Sequence, residues 1–124
     1  MRLINNLFQQ IDGKSGEGTY SALLQPVASH AIYKAHFPDN PITPGVCLIQ
    51  VVGEVLEQMI GKQVSLRTVD TAKFLHVVEP IENHPVSVEI ESVKTDDDAL
   101  LQVKASIHDA DTVCAKFSLR FSLS

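Results

Sequence analysis

His36, Gly45 and Gln50 bracket the stretch of this chain in which residue types and spacing set up chemistry: one imidazole, three prolines and a glycine lead directly into a strongly apolar run. An imidazole with an unperturbed pKa of about 6.5 serves as a general base near neutral pH. Pro38, Pro41 and Pro44 each fix their own φ and steer the preceding residue away from the helical region, which predicts a stiff, extended loop from His36 to Thr43. Gly45 then lets the backbone come close to a ligand. The N–H groups of Gly45, Val46 and Cys47 fall at the amino end of the helix that follows, where unpaired donors and the positive dipole end favour an anionic or polarised oxygen. A base and an oxyanion pocket are thereby placed side by side.

Several elements must hold these groups. From Val46 to Ile60 the residues Val46, Leu48, Ile49, Val51, Val52, Val55, Leu56, Met59 and Ile60 cover most of a helical circumference, which predicts a buried helix. Its polar residues Gln50, Glu54, Glu57 and Gln58 recur at helical spacing and form a single stripe. Leu3, Ile4, Leu7, Phe8 and Ile11 also fall at helical spacing, with Gly13 as a stop, so a short amphipathic helix is predicted over Arg2 to Ile11. Gly13 to Gly18 is a turn cluster, and TYSALLQPV and AIYKAHF read as two short strands before the proline loop. After Gly61 the period changes to two: Val64 to Val78, Pro85 to Val93, Leu101 to Ile107 and Val113 to Leu123 read as half-buried antiparallel strands. Asp-containing turns at Thr95 to Asp98 and His108 to Asp111 join them. The architecture that satisfies this pattern is α+β, a curved antiparallel sheet wrapped around one long apolar helix, in a single domain over residues 1–124. An open sheet edge is an aggregation hazard, and edge-to-edge pairing of two copies into a homodimer is the economical remedy.

The remaining signals are exclusions. A formal charge of −5 and a pI near 5.4 argue against nucleic acid and anionic membranes as partners, since both require a basic surface. The amino-terminal MRLINNLFQQIDG has no apolar run suited to a signal or membrane insertion, so the cytoplasm is the expected compartment. Cys47 and Cys114 lack metal-ligand spacing and read as reduced, buried small hydrophobes. His30, His76, His84 and His108 show no metal-ligand spacing either, and the acidic run Asp96 to Asp98 reads as a turn. No cofactor is expected.

The residues HFPDNPITPGV, with AKFLHVVEPIENHPVSVEIE from Ala72 to Glu91 as a less specific second element, resemble the 3-hydroxyacyl-[acyl-carrier-protein] dehydratases of the FabA/FabZ type. The resemblance covers most of the chain and implies the hotdog fold. It implies that His36 takes the α-proton of a 3-hydroxyacyl thioester and that the Gly45 N–H holds the thioester carbonyl. It further implies a second catalytic group five residues after that glycine, donated by the partner subunit, which helps the β-hydroxyl leave as water. The family has Glu or Asp there; this chain has Gln50. Where many members read E-A-M-A-Q, this chain reads Q-V-V-G-E from Gln50 to Glu54, so amide and carboxylate are exchanged by one helical turn.

A glutamine cannot donate a proton as an acid does; it orients a hydroxyl or a water. Three outcomes stay open. His36 acts alone with Gln50 positioning the substrate, Glu54 replaces the acid, or elimination is lost and the pocket binds or hydrolyses acyl thioesters. The corresponding functions are a dehydratase acting in fatty acid or related lipid or polyene biosynthesis, a thioesterase on the same fold, and a non-catalytic acyl-binding subunit. The acyl chain is expected in an apolar tunnel, with Phe37, Pro44, Val46, Glu54 and Phe74 as substrate contacts. The thioester would arrive on acyl carrier protein or coenzyme A. An acidic carrier needs a local basic patch, for which Lys34, Lys73 and Arg120 are the candidates.

Overall fold

A computed structural model describes residues 2–35 and 39–124, so His36, Phe37 and Pro38, the front of the proline loop, lie outside the described residues. Among the described residues, six strands and two helices follow one another as β1 (Phe8–Ser15), β2 (Tyr20–Pro26), α1 (Ala31–Ala35), α2 (Gly45–Ile60), β3 (Val64–Phe74), β4 (Val86–Thr95), β5 (Leu101–Asp109) and β6 (Thr112–Leu123). The strands form one sheet in the order β1-β2-β4-β5-β6-β3, antiparallel at each pairing. Period-two alternation puts Val88, Ile90, Val103, Ala105, Ile107, Phe117, Leu119 and Phe121 on one face, and all of them are buried. The long helix α2 lies against that face with Val51, Val52, Val55 and Leu56 fully buried. This is the hotdog arrangement. Gly61 closes the helix in the left-handed conformation (φ 71°), its N–H donating to the Glu57 carbonyl at 2.8 Å, a stop that glycine adopts without steric cost. No helix among the described residues is long and apolar enough to cross a membrane.

Two elements differ from the sequence reading. The segment read as an amphipathic helix is instead a tight loop followed by β1, with Asn5 at positive φ (70°) and the Phe8 N–H donating to the Leu3 carbonyl at 2.9 Å. Leu3, Leu7 and Phe8 are buried as the pattern demands, but distant partners decide the backbone. The free edge of β2 offers a hydrogen-bond ladder to residues 8–15, and a carboxylate on α2 takes the N–H groups of Leu3 and Ile4. Ile11, placed on the helical face by spacing, sits at a strand irregularity and is exposed. The run read as a second strand, AIYKAHF, begins instead as the short helix α1. His30 starts it: its Nδ1 accepts the Ile32 N–H at 3.1 Å, which leaves the proton of a neutral ring on Nε2, facing Asn6 Oδ1 at 3.0 Å.

The polar stripe of α2 is where the amino-terminal segment docks. Gln58 exchanges amide hydrogen bonds with Gln10 (2.6 and 3.0 Å) and accepts from the Tyr20 hydroxyl at 3.1 Å. Glu57 accepts from Arg2 Nη1 and from the Val64 N–H, each at 2.9 Å. Glu54, on the same stripe, is buried.

Candidate active site at the amino end of the central helix

Pro44 enters α2 with φ −59° and ψ 142° and has no side chain that can cap the helix. Its carbonyl accepts the N–H groups of Cys47 (3.0 Å) and Leu48 (3.3 Å), so of the three donors read from sequence Cys47 is committed. Those of Gly45 and Val46 have no hydrogen-bond partner among the described residues. An uncapped helix start of this kind presents two donors and the positive dipole end to whatever lies in front of it.

An apolar cavity of about 370 Å³ lies there, bounded by Ile42, Gly45, Leu48, Phe74 and Val78. The Phe74 ring presses so closely on Gly45 that a Cβ at this position would stand 2.8 Å from Phe74 Cζ. Glycine is required by that approach. Phe74 is half exposed and stands edge-on to buried Phe117, centroids 5.6 Å apart at 71°, which fixes its ring as one wall of the cavity.

Thr43 ties the end of the proline loop in two directions. Its N–H donates to the Val78 carbonyl at 2.8 Å, and its hydroxyl pairs with the Tyr33 hydroxyl of α1 at 2.9 Å. Both side chains are buried, and burial pushes the Tyr33 hydroxyl above its ordinary titration range, so it remains a neutral O–H. Tyr33→Phe is expected to lower stability by about 1–3 kcal/mol by leaving the Thr43 hydroxyl unpaired in the interior. Urea unfolding measures it; an unchanged midpoint would show that water replaces the bond. Sequence reasoning missed this pair, because a threonine ahead of Pro44-Gly45 signals a helix entry but its partner sat in a segment read as strand.

On the other side of α2, Val46 (72% exposed), Ile49, Gln50 and Gly53 face a groove of about 480 Å³ completed by Leu66 and Phe121. Gln50 Nε2 donates to Glu54 Oε2 at 3.2 Å. Glu54 also accepts the N–H groups of Leu3 at 2.8 Å and Ile4 at 2.9 Å, and its side chain is only 6% exposed. At roughly 100° per residue, Gly45 and Gln50 point about 140° apart around the helix axis. Within one chain they border different cavities. Pro44, Gly45 and Phe74 are brought together; Val46, Gln50 and Glu54 lie together across the helix; His36 and Phe37 are outside the described residues.

The other side chains singled out in the sequence have structural partners. Arg120 is bound to Asp70 (2.8 Å) and Asp96 (3.1 Å), so it is not free to receive an acidic partner. Lys34 is exposed on α1, and Lys73 lies on the outer sheet face. His84 pairs with Asp109 at 2.7 Å and His108 with Glu89 at 3.0 Å. Cys47 and Cys114 are free and buried, and burial pushes both thiols up.

Comparison with known proteins agrees with this architecture. The ApeI-like family model, described as ApeI dehydratase, matches residues 12–117. The 3-hydroxyacyl-[acyl-carrier-protein] dehydratase FabZ of Thermoanaerobacter sp. strain X514 is 27% identical over 129 residues, covering 98% of this chain and 86% of that protein. FabZ of Lactobacillus helveticus is 30% identical over 96 residues, covering 72% of this chain and 63% of its own length. Among solved structures, the dehydratase heterocomplex ApeI:P from Xenorhabdus doucetiae superposes with a TM-score of 0.71 at 17% identity, covering 92% of this chain and 96% of that one. A mutant of the fluoroacetyl-CoA-specific thioesterase FlK superposes with a TM-score of 0.67 at 11% identity, covering 90% of each chain. These last two are likenesses of fold.

Proposed function

Because this chain belongs to the ApeI-like dehydratase family, we propose that it eliminates water from 3-hydroxyacyl thioesters to give 2-enoyl thioesters, in fatty acid or related lipid or polyene biosynthesis. The observation that carries the reading is the unpartnered N–H groups of Gly45 and Val46 at the start of α2, where Gly45 borders an apolar cavity walled by Phe74. They suit a thioester carbonyl whose oxygen gains charge as the α-proton leaves. His36, the imidazole of the proline loop, takes that proton; the electron pair forms the C2–C3 double bond and expels the 3-hydroxyl, which takes a proton back from His36 and departs as water. Gln50 orients the departing hydroxyl. Glu54 is assigned to holding the Gln50 amide and the amino-terminal backbone, because three donors already converge on its two oxygens.

The thioester is carried by acyl carrier protein or coenzyme A, and the working unit is a two-fold dimer. The edge strand β3, exposed along most of its length with Leu66 and Val69 left uncovered on its α2-facing side, supports that pairing. It would bring Gln50 of one copy toward Gly45 of the other, which a single chain cannot do. Two further readings have specific support. Glutamine in the acid position suits a thioesterase, and a dehydratase heterocomplex of the same fold suits a subunit that needs a different, acid-bearing partner.

The test is to incubate the purified protein with a short 3-hydroxyacyl thioester on carrier protein or pantetheine and follow enoyl-thioester absorbance and thiol release together. Enoyl formation supports dehydration; thiol release alone moves the assignment to thioesterase; neither product moves it to an acyl-binding subunit. Gln50→Glu is expected to raise dehydration, by about tenfold or more. The new carboxyl would stand beside Glu54, and two neighbouring carboxyls share a proton, which keeps one of them acidic enough to donate near neutral pH. Adding Glu54→Gln restores the family order and is expected to retain the gain. Unchanged rates in both variants would mean that Gln50 does not reach the hydroxyl.

A further inference from the structure

The loop after β3 brings an imidazole to the cavity that Gly45 borders. His76 lines it beside Leu75 and Val77, and the residue is exposed to solvent. The segment is pinned at both ends. The N–H groups of Leu75 and His76 share the Cys114 carbonyl of β6 at 2.8 and 3.1 Å, and the Val78 carbonyl accepts the Thr43 N–H at 2.8 Å. Thr43 is two residues ahead of Gly45, so this imidazole and the helix start belong to one hydrogen-bonded frame. Three other histidines are committed: His30 to Asn6 and the Ile32 N–H, His84 to Asp109, and His108 to Glu89 and Ser106. The His76 ring has no hydrogen-bond or ion-pair partner among the described residues. The cavity wall is otherwise apolar but for Thr43, whose hydroxyl is bound to Tyr33. Among the described residues, His76 is therefore the one side chain on this wall with uncommitted polar atoms.

We propose that this cavity also hydrolyses acyl thioesters that carry no 3-hydroxyl group, with His76 as the general base for water. The proposal rests on the reading of the Gly45 N–H as donor to a thioester carbonyl. Hydrolysis needs a donor for the carbonyl oxygen, a base and water. Elimination takes place at C2 and C3, with His36 of the proline loop as its base. Hydrolysis takes place at C1 and needs a base that meets solvent, which His76 does. The imidazole takes a proton from a water molecule as the water oxygen bonds to C1 and the carbonyl oxygen becomes an oxyanion on the Gly45 N–H. The carbonyl then re-forms, the C–S bond breaks, and the departing sulfur takes the proton from His76. The products are a carboxylic acid and a free thiol, and water is the only co-reactant. Gln50 has no part in this step, so one chain holds every group that it uses. A thioester without the hydroxyl has nothing to eliminate, which leaves hydrolysis as its reaction in this cavity.

The test follows thiol release from S-hexanoyl-N-acetylcysteamine with a chromogenic disulfide, and enoyl formation from a 3-hydroxyacyl thioester of N-acetylcysteamine in parallel. Wild-type protein is expected to release thiol. His76→Ala should release it at least about 100-fold more slowly, and added imidazole should restore part of the loss, because the ring stands where solvent reaches it. His76→Gln, which keeps polarity without a base, should match the alanine variant. The ring is exposed and unpartnered, so both variants should melt with wild type. The ratio of thiol release to enoyl formation is expected to fall in the His76 variants and to rise in His36→Ala. No thiol release by wild-type protein, a wild-type rate in both His76 variants, or thiol release lost along with enoyl formation in His36→Ala would each overturn the proposal. The hexanoyl thioester cannot be dehydrated, so thiol release without any enoyl product from the hydroxyacyl substrate would sink the proposed elimination and leave this hydrolysis standing.

Discussion

His36→Ala is expected to reduce formation of enoyl thioester by at least about 100-fold while leaving the melting temperature unchanged. The first half follows from what elimination needs. A proton next to a thioester carbonyl leaves only when a base takes it as an oxyanion forms, and of the groups assigned to elimination only the His36 imidazole is a base near neutral pH. The Gly45 and Val46 donors stabilise the developing charge but cannot remove the proton, and the Gln50 amide, a neutral hydrogen-bonding group, cannot remove it either. The second half follows from how the loop ends are held. Thr43 is bound to Tyr33 on one side and to the Val78 carbonyl on the other, and neither bond involves His36. A variant with wild-type turnover would remove His36 from the role of base. A variant that loses turnover and melts far below wild type would show instead that the imidazole holds the loop.

The largest effect on stability is expected at Glu54. Glu54→Ala leaves the N–H groups of Leu3 and Ile4 without the carboxylate that accepts both, and an unsatisfied buried donor costs about 1–3 kcal/mol. Two such donors, with water admitted to one of them, give a loss of about 3 kcal/mol, or a fall in Tm of roughly 10 °C for a domain of this size. The loss reaches beyond the two bonds. Leu3 and Leu7 are buried only while the amino-terminal loop stays on α2, so amide hydrogen exchange in residues 3–8 should accelerate more than in β5 or β6. Glu54→Gln keeps one acceptor oxygen and is expected to fall between the two. A thermal scan showing wild-type Tm for Glu54→Ala would mean that the segment is held by its side chains and not by the carboxylate. Because Glu54 also receives the Gln50 amide at 3.2 Å, the same variant frees the orientation of the residue assigned to the departing hydroxyl.

The sequence alone determined the parts whose signal is local. The apolar circumference of Val46 to Ile60 specifies a buried helix, period-two alternation from Val64 to Leu123 specifies the strands packed on it or pairing beside it, and Gly61 and the Asp-rich turns mark where each stops. The loop HFPDNPITPGV carries the family resemblance and marks the helix start as the candidate site, because proline geometry and an uncapped amino terminus are properties of neighbouring residues. Tertiary structure decided the rest. Leu3, Ile4, Leu7 and Phe8 have the spacing of a helix, yet a carboxylate some fifty residues away and the open edge of β2 make them a loop and a strand. Tyr33 was legible only as an apolar residue until α1 placed its hydroxyl on Thr43. Glu54 reads as one member of a polar helical stripe, and only the chain folded over that stripe buries it. His76 is one of five histidines in the sequence until the loop after β3 sets it on the cavity that Gly45 borders, while Arg120 is withdrawn from any partner by two aspartates. In each case the deciding partner is distant in sequence, and hydrophobic periodicity, which reports only which side of an element faces the core, contains no record of which groups meet there.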